Sequence, residues 1–362
     1  MKKRLGRSIL PSGFKRPLKG KDMKTASRVI FTDKCQLRLE EFSPDPLGPE
    51  QVLVENEYSM ISPGTELAIY MKTHVNFTDP TSTWPRYPYR PGYSSVGRVV
   101  AAGANVKTPK VGDRVAHRLP HASHAVVDTV KQTCLPVEDR MDPKHALFFT
   151  FGSISATAVY VRHLPLENVL VLGAGIIGNM AGQLFKAHGT PKLLLTDISP
   201  ARLAIANRCG IANTINMKTE NLAESVSRLT DQKGVSIVVE ATGVPSLVVT
   251  ALETVNRLGE VILLGSTRGV VELNVYKLIH SKSTLLTGAH AVTFPEKQTP
   301  GIPTWRDGTA QETLDLIAAG RMNCAPLITH VISPSQFAEA YDGLAHKQEQ
   351  YLGVVVDWKK SR

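Results

Sequence analysis

Asn168–Gly189, NVLVLGAGIIGNMAGQLFKAHG, is the stretch whose reading decides the fold. Four apolar residues, Val169–Leu172, run into Gly173, Gly175 and Gly178, after which apolar residues recur at helical spacing. The pattern predicts a strand, a tight turn and a helix. Each glycine has its own task. Gly173 permits the turn, Gly175 lets a diphosphate approach the backbone, and Gly178 lets the helix pack against the strand. The first helical N–H groups, those of Ile176 and Ile177, then face the phosphates. G-x-G-x-x-G alone is a weak signal. Between an apolar strand and a helix it reads as a dinucleotide site.

The next apolar run, KLLLTD, ends in Asp197, 19 residues beyond Gly178. An acid there accepts hydrogen bonds from both ribose hydroxyls and repels a 2′-phosphate, so NAD is expected over NADP. Ile198 and Arg202 belong to the same end of the site; Arg202 has the reach for a phosphate, but Asp197 should dominate at the ribose. Later strand ends read EATG (Glu240–Gly243), LLGST (Leu263–Thr267) and LTGAH (Leu286–His290). Sheets of this kind bind ligands beyond the carboxyl ends of their strands. Thr242, Gly243, Gly265, Ser266, Ala289 and His290 are therefore candidate cofactor neighbours. Flavin uses the same fingerprint, usually near the start of a chain, whereas here it lies mid-chain.

Outward from this unit the rhythm changes. From Met23 to about Thr150 the chain reads as short strands broken by Pro-Gly and Gly-Asp turns, a β-rich, barrel-like unit. Beyond Thr150, near-continuous apolar strands alternate with helices, the mark of a parallel sheet covered on both faces. From about Val292 the first pattern returns. The expected fold class is α/β. Residues 23–155 and 292–362 form one β-rich domain, and 156–291 form a doubly wound Rossmann domain inserted into it.

A chain of 362 residues is long enough for two domains. Its +10 formal charge is concentrated in residues 1–22, which hold eight Lys or Arg and one Asp. That stretch reads as a basic, disordered leader ahead of a second start at Met23; a transit peptide is the other reading. With those residues set aside, nothing points to nucleic acid, and no apolar run has membrane-spanning length. The four cysteines, Cys35, Cys134, Cys209 and Cys324, are scattered, which matches neither a disulfide framework nor a cysteine zinc site and fits a reducing cytoplasm.

The β-rich first unit, the block VGRVVAAGANVKTPKVGDRVA (Val96–Ala116), the mid-chain Rossmann unit and the return to the first domain together resemble the medium-chain dehydrogenase/reductase superfamily, alcohol dehydrogenases included. The resemblance covers the chain from Met23 onward and implies a GroES-like catalytic domain beside the NAD-binding one. In the zinc members a motif of the type G-I-C-G-T-D supplies a metal cysteine, a proton-relay hydroxyl and an acid. Here the matching stretch is MISPGTEL, Met60–Leu67, with Ser62 in the cysteine's place and Thr65 and Glu66 keeping the relay and acid types. The family's G-H-E becomes GYS, with Tyr93 for the metal histidine and Ser94 for the glutamate. FFTFGS, Phe148–Ser153, holds no third ligand, and no cysteine-rich zinc lobe is present. Hydroxyls are poor zinc ligands beside thiolate and imidazole, so no catalytic zinc is expected.

Tyr93 is then expected in the cleft, as a hydrogen-bond donor to substrate oxygen, as an acid or base if its pKa is lowered, or as a passive filler. Ser62 and Thr65 either join the chemistry or tie down their turn. Glu66 is expected to pair with an arginine or backbone amides. His117, His121 and His124 are read as metal candidates or as cleft-lining imidazoles. His290 lies either at the cleft or at a subunit contact, because family members often dimerise by pairing the strand before it; a homodimer or a dimer of dimers is expected.

The leading expectation is zinc-independent, NAD(H)-dependent interconversion of a secondary alcohol and a ketone, acting on a small hydroxylated molecule such as a sugar or cyclitol. The pair ISPGTE and PGY is also similar to the dehydrogenases that oxidise the hydroxyethyl group of bacteriochlorophyllides. Two alternatives stay open: a zinc-free enoyl or quinone reductase, against which Asp197 argues, and a non-catalytic NAD(H) sensor.

Overall fold

The computed structural model describes residues 25–302 and 304–361; the basic stretch 1–22 lies outside them. Strands β1 (Ala26–Asp33) and β2 (Gln36–Phe42) pair as an antiparallel ribbon. Next come β3 (Gln51–Met60), α1 (Thr65–Tyr70), β4 (Ser95–Ala102), β5 (Arg114–His117), β6 (His124–Asp128) and β7 (Leu135–Pro136). Helices α2 (Pro143–Ala146) and α3 (Phe148–Val161) lead into the alternating unit. It runs β8 (Val169–Leu172), α4 (Ile176–Ala187), β9 (Leu193–Asp197), α5 (Pro200–Arg208), β10 (Asn213–Asn216) and α6 (Leu222–Leu229). It continues with β11 (Ile237–Glu240), α7 (Pro245–Thr254), β12 (Glu260–Leu263) and β13 (Leu285–Gly288). The chain returns through α8 (Arg306–Ala318), β14 (Ile328–Ile332), α9 (Phe337–His346) and β15 (Gly353–Asp357).

One seven-stranded sheet takes strands from both ends of the chain, in the order β14-β15-β3-β4-β5-β7, with β6 also paired to β3. The other is parallel throughout, in the order β10-β9-β8-β11-β12-β13. Its direction of travel reverses between β8 and β11, which opens a crevice at their carboxyl ends. Burial explains the two kinds of strand. In β3 buried and half-buried residues alternate from Gln51 to Tyr58, as a sheet with one covered face requires. Every residue of β8, β9 and β11 is buried, as a sheet covered on both faces requires.

Two elements carry little sequence signal. Edge strand β10, NTIN, buries one residue fully. Helix α6 begins where Asn221 Oδ1 accepts from Glu224 N (3.2 Å), and Leu222, Val226 and Leu229 pack under the sheet. Helix α8 starts at Arg306, ahead of its apolar pattern and with no side-chain cap. A tertiary anchor sets that start: Asp307 binds Arg118 (2.9 Å), Lys297 (2.7 Å) and Thr133 (2.6 Å). Among the described residues no helix is long and apolar enough to cross a membrane.

Helix α3 joins the domains and is buried along almost its whole length. Ser155 Oγ donates to Ile177 O (3.0 Å) at the start of α4, and Ser153 Oγ donates to Arg306 O (2.9 Å) at the start of α8. Gly152 lies so close to α8 that a Cβ there would overlap Thr313. Gly152→Val should therefore lower stability by about 1–3 kcal/mol through overpacking, read as a fall in the urea midpoint; an unchanged midpoint would show that the joint has slack.

Candidate active site

The glycine turn sits at the crevice. Gly173 has φ +103°, a conformation open to glycine, and a Cβ on Gly178 would overlap Gly173 O. A Cβ on Gly175 would meet nothing within 4 Å, so the space above that residue is free for a diphosphate. Helix α4 starts there without a side-chain cap, leaving its first N–H groups for a ligand. Asn179 Nδ2 pins the turn by donating to Ala174 O (2.7 Å) and Gly175 O (3.1 Å). Ile176 is buried and Ile177 packs against the core, so both face a ligand through the backbone.

Asp197 uses one oxygen to accept from Ala174 N (2.8 Å) and the other to accept from Ser199 N (2.9 Å). A carboxylate has about four acceptor positions, which leaves two for ribose hydroxyls. Ile198 beside it is 65% exposed, an apolar surface at the lip of the site. Ser199 Oγ donates to Glu349 Oε2 (2.5 Å), bringing a second acid from the returning segment to this end. Arg202 lies close by, with its Nε buried and unpartnered.

Glu240, fully buried at the end of β11, accepts from Thr242 N (2.7 Å), from Gly243 N (3.1 Å) and from the Thr242 and Thr267 hydroxyls. It shapes both loops that flank the crevice. A Cβ on Gly265 would overlap Gly243 N, so that residue too is held to a bare backbone. Ser266 is exposed, while the Ala289 side chain is buried and its N–H donates to Leu263 O (2.9 Å). His290 is exposed, its Nδ1 accepting from Val292 N (3.4 Å).

The second half of the site is a hydroxyl cluster. The Tyr93 phenol donates to Ser62 Oγ, and Thr65 also hydrogen-bonds it. Burial, helped by the charge of Glu66, holds the phenol well above its ordinary range. The acid–base role in the sequence reading needed a lowered pKa, and the shift runs the other way. Tyr93 stays protonated and serves as a donor. Thr150 Oγ1 donates to Tyr93 O (3.1 Å) and Ser94 Oγ to Leu147 O (2.6 Å), so both residues are tied to the start of α3.

Glu66 is buried and, of the two expected kinds of partner, takes a backbone amide and, among the described residues, no arginine. Its Oε1 accepts from Ser62 N (3.2 Å); its Oε2 accepts from Tyr341 Oη (2.9 Å) and lies 3.0 Å from His121 Nε2. His121 Nδ1 lies 2.8 Å from Ser59 Oγ, which also accepts from Trp358 Nε1 (2.9 Å). With a hydrogen on Nε2 toward Glu66 and Nδ1 accepting from Ser59, every one of these hydrogens has an acceptor. The histidine trio does not converge on one point, and His117 and His121 are fully buried. His117 is fully buried, with Nε2 2.8 Å from Asn56 Oδ1 and Nδ1 accepting from Leu119 N (3.3 Å), and His124 Nδ1 meets Ser123 Oγ (3.0 Å). Strand alternation and the Pro120 bend send the three rings to different partners. Among the described residues no group of three His, Cys, Asp or Glu is placed to hold a metal.

Sequence reading passed over Tyr341, Ser59, Trp358, Asn179 and the role of Glu240. One signal was available: Glu240 closes an otherwise apolar run, SIVVE, where a carboxylate requires dedicated donors.

Comparison with known proteins agrees with this architecture. A profile described as alcohol dehydrogenase GroES-like domain matches residues 48–169, and one described as zinc-binding dehydrogenase matches 177–303. The chain belongs to the medium-chain, alcohol dehydrogenase-like superfamily of NAD(P)-binding oxidoreductases that act on CH–OH groups. It is 27% identical to the L-threonine 3-dehydrogenase of Shewanella frigidimarina, across 87% of this chain and 95% of that one. Its fold matches an Escherichia coli oxidoreductase of unknown specificity (TM-score 0.79, 19% identity, 92% and 99% covered). It also matches galactitol-1-phosphate dehydrogenase from Escherichia coli (TM-score 0.77, 20% identity, 91% and 99% covered).

Burial lowers the pKa of His117 to about 3, while the unfolded chain binds that proton near 6.5. As pH falls from about 6.5 toward 3, protons favour the unfolded state, and this group removes about 1.4 kcal/mol of stability per pH unit. His117→Gln should flatten the fall of unfolding free energy between pH 6.5 and 4.5 by one proton's worth, measured by urea titration at several pH values. An unaltered slope would place the acid sensitivity elsewhere.

Proposed function

We propose that the chain is a zinc-independent, NAD-dependent dehydrogenase that interconverts a secondary alcohol and a ketone on a hydroxylated substrate. The observation that carries this reading is the Tyr93–Ser62–Thr65 cluster, in which Tyr93 and Ser62 stand where the resemblance puts metal ligands and Thr65 where it puts the relay hydroxyl. Its donor set does not fit zinc, which takes thiolate, imidazole or carboxylate. Tyr93 and Ser62 are neutral hydroxyls bonded to each other, and the nearby Glu66 carboxylate has both oxygens engaged. No step therefore runs through a metal.

The dinucleotide fits. Gly173, Gly175 and Gly178 with the start of α4 would hold its phosphates, and Asp197 would hold the adenosine ribose. Bound there, the dinucleotide would supply the hydride acceptor or donor. On substrate binding the phenol would turn its single O–H from Ser62 Oγ to the substrate oxygen and so stabilise the negative charge that develops on it. Ser62 and Thr65 would then donate to the phenol oxygen and orient it, and the proton that the alcohol gives up leaves through these hydroxyls to water and returns by the same route in reduction. Asp197, seconded by Glu349 on Ser199, supports NAD over NADP, because two acids beside the ribose disfavour a 2′-phosphate.

A second copy of this chain is the proposed partner. Edge strand β13 exposes Leu285 and Leu286, and the neighbouring Val275 and Tyr276 are exposed as well. An apolar edge of this kind invites strand pairing.

Tyr93→Phe should reduce kcat on a panel of secondary alcohols roughly 10²–10³-fold, the loss expected for one donor to a developing oxyanion, with the Kd for NADH unchanged. Exhaustive chelation should leave wild-type kcat intact; chelator inactivation reversed by zinc would overturn the metal-free reading. In light scattering the wild type should be at least a dimer and Leu286→Lys a monomer. A monomeric wild type would exclude pairing through β13.

A further inference from the structure

Arg268 takes part in neither the cofactor cradle nor the hydroxyl cluster. It lies in the loop after β12, and its backbone N–H donates to Gly243 O (3.4 Å). That contact holds it at the carboxyl edge of the parallel sheet, beside the cofactor's expected neighbours. Its side chain is partly buried, and among the described residues it has no hydrogen-bond acceptor and no ion-pair partner. Burial alone pulls its pKa below the ordinary arginine value. Its guanidinium nitrogens keep contact with water, so the group stands at the edge of the crevice within reach of an incoming anion.

His74, from the loop after α1, lies within reach of the Arg268 charge. Burial, and then the charge of Arg268, hold that imidazole below its usual range. His74 Nδ1 accepts from Asn76 N (3.3 Å), which places the ring proton on Nε2 as a second donor. From His74 an aromatic row leads back to the hydroxyl cluster. The His74 ring meets Trp84 edge-on (centroids 5.1 Å apart), Trp84 meets Tyr89 edge-on (6.2 Å), and Tyr89 is close enough to raise the Tyr93 phenol further.

We propose that Arg268 and His74 receive a carboxylate or phosphate group of the substrate, at the far end of this aromatic row from Tyr93. The proposal rests on the dehydrogenase reading above and narrows its substrate to hydroxylated compounds with an anionic group several bonds from the carbon that is oxidised. The planar guanidinium offers two parallel N–H donors to such a group, and the row of rings packs against the substrate body.

The test uses the full chain with NADH bound, titrated with inorganic phosphate or malonate and followed by nicotinamide fluorescence. A saturable response is expected in the wild type, weakened about 10- to 100-fold in Arg268→Ala and partly restored in Arg268→Lys, with NADH affinity the same in all three. Turnover of paired compounds, a hexitol phosphate against its hexitol and a hydroxy acid against its methyl ester, should favour the charged member through KM, and Arg268→Ala should erase that preference. A wild type that binds NADH but shows no saturable anion response, or treats the pairs alike, overturns the anion site and leaves the dehydrogenase reading standing. Parallel loss of NADH affinity in Arg268→Ala assigns the guanidinium to the cofactor's diphosphate and overturns the proposal. Failure of the wild type to bind NADH overturns the dehydrogenase reading and the anion site with it.

Discussion

A carboxylate with almost no contact with water organises the catalytic wall. Glu66 collects the Ser62 amide from its own turn, the His121 ring from the segment before β6 and the Tyr341 hydroxyl from α9. Through His121 and Ser59 the network continues to Trp358, beyond the last strand. Leaving one such group unpaired costs about 1–3 kcal/mol or more when it is charged, so the donors and the acid constrain one another. What this fixes is the position of Ser62, and with it the oxygen that the Tyr93 phenol addresses. Its partners are a backbone amide, an imidazole and a phenol rather than a cationic side chain.

The same physics recurs across the cleft. Asp197 binds the amides of Ala174 and Ser199, and Glu240 binds those of Thr242 and Gly243. Each of these acids ends a buried parallel strand, where backbone N–H groups of the following loop are free to be collected. The loops around the cofactor crevice are held from below by strand-end carboxylates, which leaves their upper surfaces to the ligand. Arg268 is the opposite case, a cation at the same edge with no acid assigned to it.

The hydroxyl cluster is held in place by the rest of the fold. On the proposed reading a phenol held protonated by burial takes the place of a Lewis acid, and the joint of the fold, the buried helix α3, ties Tyr93 and Ser94 to the same segment that packs on the glycine helix. The geometry of hydride transfer and the geometry of charge stabilisation share that helix.

Local chemistry determined much of this in advance. The apolar run into three glycines specifies strand, turn and helix because only glycine accepts the φ of Gly173 and the close approach at Gly178. The alternation after Thr150 specifies a covered parallel sheet, and the hydroxyls at Ser62, Thr65 and Tyr93 carry the expectation of a metal-free site because ligand type is a property of the side chain. Tertiary structure decided the rest. The direction of the Tyr93 pKa shift depends on burial and on a charge from another turn, the partners of Glu66 come from segments up to 275 residues away, and α8 starts where Asp307 is anchored rather than where its apolar pattern begins. The isolation of Arg268 is visible only once the fold has brought its neighbours together, because burial and long-range pairing are set by the whole chain and leave no mark on the residues beside it.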